Sequence, residues 1–416
     1  MDADLAIASR AAAATSRARF EGVRRIAVLR GGGIGDLLFA VPAMQSLAAA
    51  YPEAEVTVLA APGPATLLQD RPGSPHRIAP LPAIPGLTAS PGAAVDPAVI
   101  DGFVERMREE RFDLGVQVHG GGRYSNPFLL RLGARHTVGT RTPDAAPLER
   151  TLDYAYYQHE VLRALEVVGL AGAPPVALAP HIPLLDAERE AGRAVCGTDR
   201  PVVVVHPGAS DPRRRWPAER FVEVIRRLVA TGVRVVLVGG PEDVELCGGI
   251  LSAVRRVAVG AEAGLVTTVA GRLTLPALAG VLAAADVVLA NDSGPRHLAE
   301  AVGSRTVSVY WFGNLVNAGP LGRGRHRVHL SWVTRCPVCG RDVTQVGWTS
   351  ERCEHDVSFV GEIAAGPVYD DVIALLDAAH ARHEAPPRIR RGRPPGRQGQ
   401  DGSSSGQTTS SRTSQP

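Results

Sequence analysis

Short apolar runs alternate with helix-like stretches through most of the chain, and glycines or prolines punctuate the joins. Arg25–Arg30 (RIAVLR) and Glu55–Ala60 (EVTVLA) predict buried strands, with a helix over Asp36–Ala50 between them. A strand, a glycine turn, a helix and a second strand make a βαβ unit, which requires a parallel sheet. The Pro-, Gly- and Ser-rich stretch Pro62–Pro97 predicts mostly loop, and Asp113–His119 (DLGVQVH) another strand, followed by glycines 120–122. Ala173–Pro183 (APPVALAPHIP) predicts an interdomain linker.

Beyond it the alternation starts again. Strands are predicted at Pro201–His206, Val233–Gly239, Asp286–Ala290 and Thr306–Tyr310, and helices at Pro217–Thr231, Pro276–Ala284 and Pro295–Val302. The fold class is therefore α/β: two Rossmann-like, doubly wound domains facing each other. The divisions are an N-terminal extension 1–22, a first domain 23–180, a second domain 181–383 with a closing helix, and a tail 384–416. The tail is nearly devoid of apolar residues and is expected to be disordered. Its arginine cluster, Arg388 to Arg397, suits a solvated tail better than a contact with anionic lipid or nucleic acid.

Composition adds limits. The length of 416 residues fits two domains, and 45% hydrophobic with 21% charged residues describes a globular chain. A net charge of +3 gives no bias toward nucleic acid, and no apolar run reaches membrane-spanning length. The N-terminus begins with Asp2 and Asp4 and makes a poor signal peptide, so a cytoplasmic protein is expected. All 45 basic side chains are arginine, which suits the codon bias of a GC-rich genome and rules out a Walker loop, whose chemistry needs lysine.

Three stretches carry candidate chemistry. In Arg30-Gly-Gly-Gly-Ile-Gly-Asp36 a dinucleotide fingerprint opening at Gly31 would need glycine where Asp36 stands. A carboxylate there repels a pyrophosphate. At a helix start it is held ionised, either as a cap or as a general base. His206-Pro-Gly-Ala-Ser210 follows a strand and leads into Arg213, Arg214 and Arg215, whose forks suit phosphate oxygens. Asn291-Asp-Ser-Gly-Pro-Arg-His297 joins a strand to a helix, so Ser293 and Gly294 present amides at a helix N-terminus, a natural anion site. Gly239-Gly-Pro-Glu242 ends another strand of the same sheet and offers Glu242 to a ribose.

These stretches, together with AGRLTLPALAGVLAAADVVLA before the NDSGP block, resemble the heptosyltransferase family, glycosyltransferase family nine, over roughly residues 23–380. The resemblance implies a GT-B architecture with the active site in the cleft between the domains. It implies inverting, metal-independent transfer of a heptose-like sugar from a nucleotide-diphosphate donor, an ADP-sugar first among them. The implied acceptor is a cell-envelope glycan or glycolipid such as a lipopolysaccharide core, built at the inner face of the cell membrane with at most peripheral membrane contact. In these terms Asp36 is the base, and Gly32, Gly33 and Gly35 form the acceptor loop. Arg214, Ser293 and Gly294 hold the diphosphate, with Ser210 and Asp292 among the donor-binding residues. Glu242 binds the ribose, Leu273 lines the base pocket and His297 sits near the diphosphate. The family commonly has lysine where Arg214 stands, and an apolar residue where Arg296 stands; Arg296 is expected to add a phosphate or acceptor contact. A second reading is a non-catalytic nucleotide-sugar-binding protein of the same fold. A third, a nicotinamide-dependent oxidoreductase, needs the fingerprint that Asp36 breaks.

No cofactor is required by this reading. Cys336, Cys339, Cys353 and His355 nonetheless have zinc-like content, although Cys353-x-His355 is tight for a tetrahedral site. Structural zinc and reduced thiols in a packed loop both remain open. Cys196 and Cys247 are expected to be ordinary core residues.

Overall fold

The computed structural model describes residues 18–73, 75, 77–257, 260–345 and 351–384. The predicted N-terminal extension, apart from 18–22, and the predicted tail beyond 384 lie outside the described residues.

Two six-stranded sheets dominate. The first contains β1 (Arg25–Arg30), β2 (Glu55–Ala60), β3 (Arg77–Pro80), β4 (Leu114–Gln117), β5 (His136–Arg141) and β6 (Arg150–Asp153), in the order β3-β2-β1-β4-β5-β6. The second contains β7 (Val202–His206), β8 (Arg234–Leu237), β9 (Val266–Thr268), β10 (Val287–Asn291), β11 (Arg305–Trp311) and β12 (His326–Ser331), in the order β12-β11-β10-β7-β8-β9. Read from β9, the second order repeats the first. Every pairing is parallel.

In each sheet the winding direction reverses once, between β1 and β4 and between β7 and β10. Chains leaving such a reversal diverge to opposite faces and open a crevice at the carboxyl ends of the strands. Here Ala290 pairs with His206, so the loops after β7 and β10 leave the sheet side by side. All five residues of β7 (VVVVH) and of β10 (VVLAN) are buried, as strands covered by helices on both faces must be.

The helix Ile34–Ala50 starts two residues before the predicted Asp36. It buries Leu37, Leu38, Val41, Met44 and Leu47 on more than one side, because it packs against both the helix Glu160–Gly169 and the helix Gly294–Ala301 of the second sheet. One continuous apolar core therefore runs from Val28 and Leu38 across to Val288 and Leu298. The helix Asp186–Cys196 after the linker packs on Leu275–Ala284, and the closing helix Ala365–Glu384 lays Val368, Val372 and Leu375 on the far face of the second sheet. Pro62–Pro97 is less irregular than its composition suggests: it holds a short helix at Pro62–Ala65 and the strand β3.

Cys196 and Cys247 are fully buried, and burial pushes their thiols up to about 11 and about 12, as inert core cysteines require. No helix among the described residues is long and apolar enough to cross a membrane.

Candidate active site

A cleft of about 800 Å³ lies between the carboxyl edges of the two sheets. One wall carries Gly33, Gly35, Asp36 and Glu160. The other carries Ser210, Arg214, Glu242, Leu273, Asp292, Ser293, Gly294 and His297. The residues singled out in the sequence thus converge on one space of the size small-ligand sites occupy. Gly32 is not among the lining residues. Its φ of +88° makes the turn, and the Asp36 carboxylate fills the place its Cβ would take, 2.4 Å away.

Asp36 occupies the third position of its helix and reaches back over it. Gly33 N–H donates to Oδ2 (2.9 Å), closing the N-terminus. Arg30 Nη2 donates to Oδ1 (2.7 Å). The carboxylate is both cap and cleft group, since its side chain stays 46% exposed while Arg30 is 4% exposed. Arg30, at the end of β1, also binds Glu160 Oε2 (3.1 Å) and the Val118 carbonyl. Burial works against its charge, but Asp36 and Glu160 more than offset this and raise its pKa. A fixed cation therefore sits behind Asp36 and holds it toward the cleft.

The facing wall is built on Asp292, which is 1% exposed. His297 Nε2 lies 3.2 Å from its Oδ1, and Asn314 Nδ2 and Arg214 Nη1 donate to its Oδ2 at 2.6 and 3.1 Å. Burial favours the neutral acid. The hydrogen bond from His297, then Arg214 and Asn314, pull its pKa well below the usual carboxylate range. Arg214 also donates to the Asp292 carbonyl (3.2 Å) and to Ser210 Oγ (2.9 Å), so its guanidinium is fixed at the cleft rim. The helix Gly294–Ala301 opens into the cleft with Ser293 at its N-cap and no side-chain cap on its amides.

Arg296 departs from its expected role. It is 0% exposed and is bound to Glu300 (2.8 Å), to Ser308 Oγ (3.3 Å) and to His297 Nδ1 (3.0 Å), away from the cleft lining. Arginine only donates, so Nδ1 of His297 is the acceptor, and the ring proton is on Nε2, facing Asp292. Arg296 sets the tautomer of His297; it does not reach a ligand in the cleft.

The structure adds two relations the sequence did not show. Ser293 Oγ lies 3.0 Å from His206 Nδ1, and His206 Nε2 lies 3.4 Å from Asp243, all three buried. This chain orients the Ser293 hydroxyl at the helix mouth. Glu160 is the second carboxylate of the Asp36 wall. His206 and Ser293 were each marked by their motifs, and Asp243 follows Glu242 after β8; what went unread was their contact. Nothing local marks Glu160, which lies 130 residues from its partner Arg30.

Cys336, Cys339, Cys353 and His355 come together elsewhere, with one ligand atom of each inside 4.8 Å of all the others. None lines the cleft.

Residues 101–336 match the family model of glycosyltransferase family 9 (heptosyltransferase). Lipopolysaccharide heptosyltransferase 2 of Escherichia coli K12 is 25% identical over 304 residues, spanning 69% of this chain and 82% of that protein. The structure of E. coli ADP-heptose lps heptosyltransferase II superposes with a TM-score of 0.65 at 21% identity, covering 87% of this chain and all of that one. That of an E. coli heptosyltransferase with ADP superposes at 0.60 and 20% identity, covering 84% and 99%. At these identities the superpositions show the shared two-domain GT-B fold.

Proposed function

The chain belongs to glycosyltransferase family 9, and from that premise we propose that this glycosyltransferase moves a heptose-like sugar from an ADP donor onto a lipopolysaccharide-type acceptor, with inversion and without a catalytic metal. The observation that carries the reading is the opposition of Asp36 to Arg214 and the uncapped N-terminus at Ser293–Gly294 across one cleft. A base on one wall and an anion site on the other is what a single displacement needs.

Asp36 accepts the proton of the acceptor hydroxyl as that oxygen attacks the anomeric carbon. Arg30 keeps the carboxylate aimed and fills one of its lone pairs, leaving others for the hydroxyl. The bond to the donor diphosphate breaks on the opposite face of the sugar, which gives inversion. Negative charge grows on the leaving diphosphate, where the Arg214 fork, the Ser293 and Gly294 amides and the Ser293 hydroxyl lie ready. Glu242 and Leu273 flank the space beyond, suited to a ribose and a base.

The same groups supply positive potential at the leaving diphosphate, which supports the metal-independent reading. The carboxylate of Asp292 is already engaged by His297, Asn314 and Arg214. A cytoplasmic enzyme working at the inner membrane face, without nucleic-acid partners, fits the relatives' lipopolysaccharide role.

The deciding experiment is calorimetric titration with ADP, GDP, UDP and dTDP in EDTA, followed by transfer assays with ADP-heptose. Selective ADP binding and turnover in EDTA support the reading. Binding of another nucleotide overturns the donor, and activity only with added magnesium overturns metal independence.

A further inference from the structure

We propose that Cys336, Cys339, Cys353 and His355 hold one zinc ion, and that this ion fixes the loop carrying Arg214. The four ligand atoms already converge within 4.8 Å, although thirteen residues separate Cys339 from Cys353 in sequence. A tetrahedral thiolate site with metal–sulfur bonds of about 2.3 Å needs sulfurs roughly 3.8 Å apart, so a small contraction closes it. The tight Cys353-x-His355 spacing is no obstacle, since both side chains reach the same point.

The local backbone is shaped for this. Cys336 N–H donates to the Arg341 carbonyl (2.8 Å), and Gly340 N–H donates back to the Cys336 carbonyl (2.9 Å), with Gly340 at φ +70°. This knuckle brings the Cys336 and Cys339 thiols to one side. The backbone amides of Cys339 and Val338 face the Cys336 sulfur. All three cysteines are free thiols. His355 Nδ1 is buried and has no hydrogen-bond partner among the described residues, an orphan that a metal would satisfy.

Three thiols lose their protons to solvent on binding, so three thiolates, neutral imidazole and the dication leave a net charge of −1. Three soft sulfurs and one imidazole exclude magnesium and calcium and suit zinc; iron is the competitor for the same set.

The consequence lies just past His355. Phe359 N–H donates to the Arg213 carbonyl (2.8 Å), and Ser358 Oγ donates to the Arg215 carbonyl (2.7 Å). The backbone on either side of Arg214 is thus clasped by a stretch that has no strand or helix of its own to hold it. The ion anchors that stretch, making it a positioning device for the donor arginine; this role rests on the transferase reading, while the metal site does not.

The test is elemental analysis of the purified full-length protein, expected to give about one zinc per chain. Cys339→Ser, at an exposed position, and His355→Ala should each lose it, while Cys247→Ser keeps it. Absence of metal, iron in place of zinc, or full zinc retention in Cys339→Ser overturns the site. Cobalt replacement gives a second readout: thiolate-to-cobalt charge transfer and tetrahedral d–d bands, whose absence also overturns it. For the role, zinc-stripped protein that keeps its circular dichroism should show kcat/KM reduced by about 10–100-fold, mainly through donor KM. An unchanged donor KM overturns the positioning role and leaves the zinc count standing.

Discussion

Gly35 lies against the imidazole of His297, so closely that a Cβ at position 35 would sit 2.9 Å from His297 Cδ2. The first turn of one domain's helix thus touches the first turn of the other's. Phe39, one turn on, meets the same ring edge-on at 4.7 Å. Gly35→Ala gains about 0.8–1 kcal/mol of helix propensity yet wedges the two walls apart. The expected result is transfer reduced at least about tenfold with Tm unchanged or raised, since misplacing reacting groups costs rate without unfolding. Full activity in this variant would show that the contact does not set the cleft width.

Asp36→Asn keeps an oxygen for the Gly33 amide but cannot take a proton. Transfer is expected to fall by about 10²–10⁴-fold, with ADP affinity unchanged because the proposed donor groups lie on the other wall. Near-normal turnover would remove Asp36 as the base and point to Glu160, the neighbouring carboxylate on that wall.

Much of this site was legible because its chemistry sits where strands end. Glycine turns, the HPG stretch and NDSGP each follow an apolar run, and a parallel sheet gathers such ends along one edge. What escaped was long-range or polar. Arg30 reads as the polar end of a strand, and only the fold shows it buried between Asp36 and Glu160. β5 (HTVGTR) and β12 (HRVHLS) lack the apolar runs of the central strands and went unread. Arg296 looked like a ligand group by its neighbours in sequence, but the first turn of its helix carries it inward onto Glu300 and Ser308.

His326 on β12 gives a pH prediction. Burial lowers its pKa to about 4 from 6.5; Glu300 opposes the shift, and Arg296, Arg325 and Arg327 add to it to a smaller extent, while Thr306 Oγ1 lies 3.0 Å from its Nδ1. Between those two values the unfolded chain holds a proton that the folded chain does not. Stability therefore falls as pH drops from 6.5 toward 4, by about 2 kcal/mol at pH 5. His326→Gln removes this titration. Urea unfolding at pH 7.5 and 5 should show a smaller acid loss in the variant than in the parent, and equal losses would refute the assignment.

Arg214 links binding to the buried carboxylate beneath it. If Arg214 holds the donor diphosphate as proposed, Arg214→Ala removes a charge-assisted phosphate contact, so ADP affinity should fall by roughly 1.5–3 kcal/mol. It also strips one cation from Asp292, whose depressed pKa contributes stability above the ordinary carboxylate range that is lost as pH falls. The variant is thus expected to bind ADP poorly and to be modestly less stable at neutral pH, the two effects separable by calorimetry and urea unfolding. Arg214→Lys distinguishes charge from shape. A single ammonium cannot bond Ser210 Oγ and Asp292 while also offering a planar fork to a diphosphate. Partial recovery of affinity is therefore expected, and full recovery would mean that charge alone is read. Unchanged ADP affinity in Arg214→Ala would move the diphosphate site away from this arginine, onto the Ser293–Gly294 amides alone.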